Sequence, residues 1–224
     1  MLFTQILTPE THRLLVELMK DPLLSPFNLV GGTALALQLG HRKSIDLDLF
    51  SQEPIDVELL HRHLSDKYGF VLSYSAKDTL KGDINGVKID CITYTYPHLR
   101  IPIQSQGIRL LSPEDIAAMK LSAIVYNGTR AKDFTDIACL SCKMPLNRMV
   151  ECFLQKYPNI SPVIPIKGLG YFDDVVKTEK VEMIGGGYDW PMIETRIKQM
   201  LSNPNKIFRE MPVRLNTPRR GLSM

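Results

Sequence analysis

The chain of 224 residues has one tryptophan, four cysteines and no apolar run long enough to span a bilayer. Its longest hydrophobic stretches are broken by charge. The opening residues "MLFTQILTPETHR" lack the basic start and apolar centre of a signal peptide, so the expectation is a soluble protein of the cytoplasm. Cys91, Cys139, Cys142 and Cys152 are too few for a disulfide framework in a chain of this length. Cys139 and Cys142 form a C-x-x-C, but no second pair or H-x-x-x-H follows. The surrounding "FTDIACLSCKMP" reads as the end of an amphipathic helix, which favours two semi-buried thiols over a zinc or redox site. No internal repeat is found. Charge of either sign is not in large excess: 27 Lys and Arg against 24 Asp and Glu give a formal net charge of +3. That balance permits an anionic partner without demanding one.

What is present is enough apolar material for a core, 44% of the residues. Patterning predicts a helix from about Pro9 to Lys20, an apolar strand in "FNLVGG", and a short buried helix from Thr33 to Leu39. "SIDLDLF" alternates, with Ile45, Leu47 and Leu49 on one side and Asp46, Asp48 and Phe50 on the other, as a strand does. "VELLHRHLSDKYGF" has helical spacing and stops at Gly69. Strands follow in "FVLSYSAKDTLKGDINGVKIDCITYTY", with Asn85-Gly86 as a two-residue hairpin turn. Ser112-Pro113-Glu114-Asp115 supplies a helix cap and a proline at the first helical position, and the helix runs to Gly128. Another spans about Lys132 to Lys143, and the last about Pro191 to Leu201. Composition thus changes from mixed α/β to mainly helical near residue 111. The expected organisation is an α+β unit over 1–111, a helical unit over 112–205, and a basic, flexible tail over 206–224 that carries Arg209, Arg214, Arg219 and Arg220.

One feature of the pattern conflicts with simple burial. Gly31-Gly32 is followed by thirteen residues, 33 to 45, and then by Asp46-Leu47-Asp48 in an apolar setting. Asp90 occupies the same kind of setting between Ile89 and Cys91. Unpaired carboxylates in such places are costly, and adjacent ones repel, so a cation is the simplest counterweight. The alternative is that the Asp-x-Asp is merely solvated at a strand end and the glycines only form a tight turn.

The full set, apolar residue, Gly-Gly, spacer, acidic-apolar-acidic strand and a third acidic strand residue, resembles the polymerase-β-like nucleotidyltransferase superfamily. Its chemistry suits these residues. Asp46, Asp48 and Asp90 would offer oxygen ligands to Mg²⁺, or Mn²⁺ in its place, as a pair of ions for in-line nucleotidyl transfer from an NTP. Gly31 and Gly32 would bring backbone N–H groups to the triphosphate at a helix start, with the Thr33 hydroxyl beside them.

Further motifs narrow the resemblance. Arg42-Lys43-Ser44-Ile45-Asp46-Leu47-Asp48-Leu49-Phe50, then Lys120 on a helix, then Arg130-Ala131-Lys132-Asp133-Phe134-Thr135-Asp136 are similar to the AbiEii/AbiGii nucleotidyltransferase toxins of type IV toxin–antitoxin and abortive-infection systems. The likeness covers about residues 27 to 140. It implies a polymerase-β-like α+β fold, with a mixed sheet flanked by helices and then a mainly helical part. It also implies transfer of a nucleoside monophosphate to an acceptor hydroxyl, first of all a tRNA 3′ end, and a cognate antitoxin.

The residues admit roles in that chemistry. Lys120 lies among apolar neighbours, where a phosphate or an aspartate would stabilise it, unless it snorkels off the helix edge. Arg130 and Lys132 could clamp phosphate. Asp133 and Asp136 suit a first helical turn, with Asp133 the better candidate for the site. Arg42 and Ser44 could contact phosphate or orient Asp46. Two alternatives remain at this point: modification of a small, aminoglycoside-like acceptor by the same chemistry, and a non-catalytic binding module on the same fold.

Overall fold

A computed structural model describes residues 1–213. Seven strands form one mixed sheet: β1 (Asn28–Leu29), β2 (Leu47–Ser51), β3 (Val71–Ala76), β4 (Thr79–Ile84), β5 (Val87–Thr93), β6 (Ile103–Ser105) and β7 (Ile108–Leu110), in the order β3-β4-β5-β2-β1-β7-β6. β2 runs parallel to β5, β1 runs parallel to β7, and the remaining pairs are antiparallel. The β4–β5 hairpin turns at Asn85 and Gly86, both at positive φ (53° and 82°), as the Asn-Gly pair predicts. Gln106 and Gly107 repeat this device between β6 and β7 (53° and 77°).

Eight α-helices complete the described chain: α1 (Pro9–Lys20), α2 (Gly31–Leu39), α3 (Val57–Tyr68), α4 (Pro113–Tyr126), α5 (Ala131–Leu140), α6 (Leu146–Lys156), α7 (Val163–Leu169) and α8 (Trp190–Ser202). Thr8, Asp56 and Ser112 cap α1, α3 and α4 through side-chain oxygens that accept backbone N–H groups. α4 is apolar nearly all round, with Ile116, Ala117, Ala118, Leu121 and Ile124 buried, because α2, α5, α6 and α7 all pack on it. A charged residue on this helix therefore needs a partner inside the protein. At its start, buried Asp115 accepts hydrogen bonds from Ser112, from the N–H groups of Leu99 and Arg100, and from buried Lys156 of α6 at 2.9 Å. This buried ion pair ties the β5–β6 connection to the helical half.

Three details differ from the sequence expectation. The strand in "FNLVGG" is only two residues long, because Gly31 turns into the left-handed region (φ +68°) and starts the helix two residues before Thr33. β2 begins at Leu47, so Asp46 lies on its approach and Ile45 is 52% exposed. Thr33 takes the carbonyl of Asp46 (2.5 Å), replacing ladder pairing there. Residues 206–213, expected to open a flexible tail, pack on the helical half: Phe208 and Val213 are buried, and Arg196 stacks on Phe208 at 4.2 Å. Arg209 is exposed, and Arg214, Arg219 and Arg220 lie outside the described residues. Among the described residues, no helix is long and apolar enough to cross a membrane. All four cysteines are free, and Cys139 is fully buried.

Candidate active site

β2 and β5 share a register that sets Asp48 opposite Asp90, about 4.8 Å apart across the strand pair. On β2, Leu47, Leu49 and Ser51 are buried on one face, while Asp48 and Phe50 look out on the other. The turn after β1 is fastened to this strand by the Val30 N–H, which donates to the Asp48 carbonyl at 2.9 Å. Here the two glycines find a direct physical reason. A Cβ on Gly31 would collide with the Asp48 carboxylate, and a Cβ on Gly32 would collide with the Arg42 guanidinium. Their missing side chains make room for one anion and one cation.

Burial raises the Asp48 carboxyl to about 6, and the carboxylates of Asp90 and Asp46 push in the same direction. Lys120 and Arg130 offset this only in part. Asp90 finds its own counterion: the Lys81 ammonium of β4 donates to it at 2.5 Å. Among the described residues, no three acidic, histidine or cysteine groups converge as a ready set of metal ligands. The oxygens nonetheless fit a divalent cation. They are hard donors, and the Asp48 carboxyl, raised first by burial and then by its acidic neighbours, lacks a counterion that offsets it in full.

A second charge cluster lies beneath. Asp136, fully buried on α5, accepts from Arg42 Nε at 2.7 Å and Arg42 Nη2 at 3.0 Å, faces His41 Nε2 at 2.8 Å, and pairs with Lys120 Nζ at 2.8 Å. Burial alone would raise its pKa, but Arg42, Lys120 and His41 overcome this and hold it well below the carboxylate range. Lys120 also donates to Asp133 at 2.5 Å; burial would lower its pKa, yet the two aspartates raise it. Asp133 Oδ2 and His41 Nδ1 are buried and have no hydrogen-bond partner.

Above this cluster is a cleft of about 320 Å³ between the sheet and α4, which Asp136 and His41 do not line. Gly31, Gly32, Thr33, Arg42 and Ser44 line one side with Asp46 and Asp48, and Lys120, Arg130 and Asp133 line the other. Two of the sequence-selected residues are not on the wall. Asp90 turns to Lys81, and Lys132 is drawn to Glu179, which takes both its backbone N–H (3.1 Å) and its ammonium (3.2 Å). Thr33 is buried, and its hydroxyl is committed to Asp46 and Ser44 (2.8 Å), so it braces the approach to β2. Arg130 is 59% exposed and reaches Asp133 only at 4.0 Å.

Sequence reasoning missed His41 and Lys81, and it gave Asp136 less weight than Asp133. It also missed the segment 182–184, whose backbone pairs beside residues 41–43 and covers Arg42. The Asp-x-x-Asp spacing was visible, but which aspartate faces inward depends on the packing of α5. Phe50 closed the Arg42–Phe50 motif without being given a role, and Tyr94 carried no motif; both border the cleft.

Comparison with known proteins gives the family and the fold. The family model "Nucleotidyl transferase AbiEii toxin, Type IV TA system" matches residues 13–182. The uncharacterized protein aq_aa25 of Aquifex aeolicus is 34% identical over 174 residues, covering 75% of this chain and 84% of the relative. JHP933 from Helicobacter pylori has a similar fold, with a TM-score of 0.50 at 19% identity over 89% of this chain and 93% of that one. The antibiotic-resistance factor ANT(2″)-Ia aligns with a TM-score of 0.51 at 14% identity, over 65% of this chain and 91% of that one. The match over most of the length and the identity to the Aquifex protein show that this chain belongs to the AbiEii family of type IV toxin–antitoxin systems and is a transferase of the nucleotidyltransferase type.

Proposed function

We propose that the protein moves a nucleoside monophosphate from an NTP to the 3′ end of a tRNA, and that this makes it the toxin of its toxin–antitoxin pair. The observation that carries the reading is the uncompensated Asp46–Asp48 face set against Arg42, Lys120 and Arg130 in one cleft. The acceptor hydroxyl gives up its proton to solvent as its oxygen bonds to the α-phosphorus, the bond from that phosphorus to the bridging oxygen breaks, and pyrophosphate leaves. Asp46 and Asp48, joined by Asp90 once Lys81 releases it, would hold Mg²⁺ or Mn²⁺. Bound there, divalent ions supply Lewis-acid activation of the attacking oxygen and charge stabilisation of the leaving one.

The chain's own groups do the rest. Arg42 and Lys120, fixed in place by Asp133 and Asp136, offer preoriented N–H donors rather than net charge to the phosphates, so little reorganisation is needed at the transition state. Arg130, exposed at the rim, adds a mobile charge. The first turn of α2 offers N–H groups next to the carboxylates.

The test is incubation of the purified protein with each labelled NTP, Mg²⁺ and total tRNA, with Asp46→Ala as control. Label on tRNA that requires Asp46 is the expected result and identifies the donor base. Absence of label with every NTP overturns the tRNA acceptor, and label on an added aminoglycoside instead would move the acceptor to a small cationic molecule.

A further inference from the structure

One end of the cleft has a different character from the rest. Phe50 stands two residues beyond Asp48 on the same face of β2, a step of roughly 7 Å along the strand. Tyr94 follows β5, and its backbone N–H donates to the Ser51 carbonyl (2.6 Å), which sets its ring beside Phe50. The two ring centroids are 5.4 Å apart. Both rings border the cleft, to which α4 contributes Ile116, Met119, Ser122 and Ala123 besides Lys120. The row of rings continues outward: Tyr96 lies 5.0 Å from Tyr94 and is 44% exposed.

The rings are also held in place. The Tyr94 hydroxyl is hydrogen-bonded to the Tyr157 hydroxyl, and the Lys156 ammonium lies 5.7 Å from the centre of the Tyr94 ring. Lys156 is itself fixed by Asp115 at 2.9 Å. An aromatic wall left open in a charged cleft, anchored from behind by a buried ion pair, is built to receive a flat ring rather than to fill a core. The Arg42 guanidinium lies against Gly32 and the Asp48 carboxylate against Gly31, and Phe50 follows Asp48 along the same face of β2. A nucleotide whose α-phosphate rests at Asp46 and Asp48 would extend one sugar unit to reach Phe50.

From this geometry, and resting on the nucleotidyl-transfer reading above, we infer that Phe50 and Tyr94 form a stacking platform for a nucleobase at the cleft's far end. The base has two sources of the same chemistry: the donor NTP, or the terminal base of an RNA acceptor threading past Tyr96. Among the described residues no amide side chain lines the cleft, and besides the charged groups, Thr33, Ser44 and Tyr94 it has the hydroxyl of Ser122, so the rings' own contribution is stacking, which every base can supply.

The experiment measures equilibrium binding of a non-hydrolysable NTP analogue, inorganic tripolyphosphate and total tRNA to the full chain and to Phe50→Ala. Stacking losses of this kind correspond to binding weakened roughly tenfold to a hundredfold. A loss for the NTP analogue with tripolyphosphate unchanged assigns the platform to the donor base. A loss for tRNA alone assigns it to the acceptor. Phe50→Tyr, which keeps the ring, should restore most of the affinity, and the unchanged tripolyphosphate binding shows that the cleft is still folded. Equal affinity of Phe50→Ala for all three ligands overturns the platform, as does a parallel fall for tripolyphosphate that Phe50→Tyr does not rescue. Failure of the transfer reading looks different: the ring-dependent binding would persist while no label reaches any acceptor. A wild-type protein that binds neither nucleotide nor RNA overturns both.

Discussion

Replacing Asp48 by Asn should make the metal-free protein more stable while abolishing its transfer activity. In the fold the Asp48 carboxyl is raised to about 6 by burial and by the neighbouring Asp90 and Asp46, against an ordinary value of 3.8. Keeping it ionised in the folded state at neutral pH therefore costs up to about 3 kcal/mol relative to the unfolded chain. The sign follows from proton binding. Between about pH 4 and pH 6 the folded protein holds a proton that the unfolded chain has already lost, so stability falls as pH rises through that window and levels off above it. Asn carries no charge and escapes the cost.

The assay is chemical or thermal unfolding in EDTA at pH 4 and pH 8, for wild type and Asp48→Asn. At pH 8 the variant should melt higher by roughly 5 to 10 °C for a chain of this size. At pH 4 the difference should nearly vanish, because both side chains are then neutral. Adding Mg²⁺ or Mn²⁺ at pH 8 should raise the wild type toward the variant and leave the variant where it is. A variant less stable than wild type at pH 8 without metal would refute the claim that Asp48 stores unfavourable charge.

Other perturbations probe the rest of the site. Asp136→Asn leaves Arg42 and Lys120 buried with half their counter-charge; a loss of roughly 3 to 5 kcal/mol in denaturant unfolding is expected, and a loss below about 1 kcal/mol would contradict the role of Asp136 as anchor. Gly31→Ala must be accommodated at φ +68° and against the Asp48 carboxylate, so NTP transfer should disappear; a fully active variant would show that the turn is softer than its geometry implies. Lys81→Met removes the ammonium that Asp90 holds, and tighter Mn²⁺ binding by electron paramagnetic resonance is the expected outcome, whereas weaker binding would mean that Lys81 supports the site. Arg130→Ala should raise the KM for NTP without moving the melting temperature, because this side chain is exposed and loosely paired; a melting shift above a few degrees would place it in the structural set with Arg42.

Much of this site could be read from local pattern. The Gly-Gly, Asp-x-Asp and Lys120 positions depend on spacing within single elements, and the structure brings them to one cleft. The β4–β5 hairpin was legible because Asn85-Gly86 fixes its turn chemistry, and α1, α3, α4 and α8 were legible from caps and periodicity. What could not be read was pairing across elements. Lys81 meets Asp90 only because β4 and β5 align residue 81 with 90. Lys132 turns to Glu179, far along the chain, and Phe208 packs because Arg196 of α8 lies across it. The reason for the second glycine was also hidden: Gly32 is small because the Arg42 guanidinium needs the space, a contact that spacing alone does not reveal.

The distribution of charge constrains how substrate enters. Beneath the cleft, Arg42 and Lys120 are balanced by Asp133 and Asp136, so that buried group is close to neutral as a whole. Asp90 is balanced by Lys81. The charges left over are the carboxylates of Asp46 and Asp48 and, at the rim, the exposed guanidinium of Arg130. A bare triphosphate approaching this surface meets two anions at the floor and one mobile cation at the edge, while the fixed cations behind are already engaged. Attraction therefore has to arrive with the substrate. A nucleotide carrying a divalent ion brings positive charge to Asp46 and Asp48 and lets its phosphates reach Arg42 and Lys120 without displacing Asp136. On this reasoning the metal complex, not the free NTP, is the species the cleft admits, and NTP affinity should collapse in EDTA even though no side chain has changed.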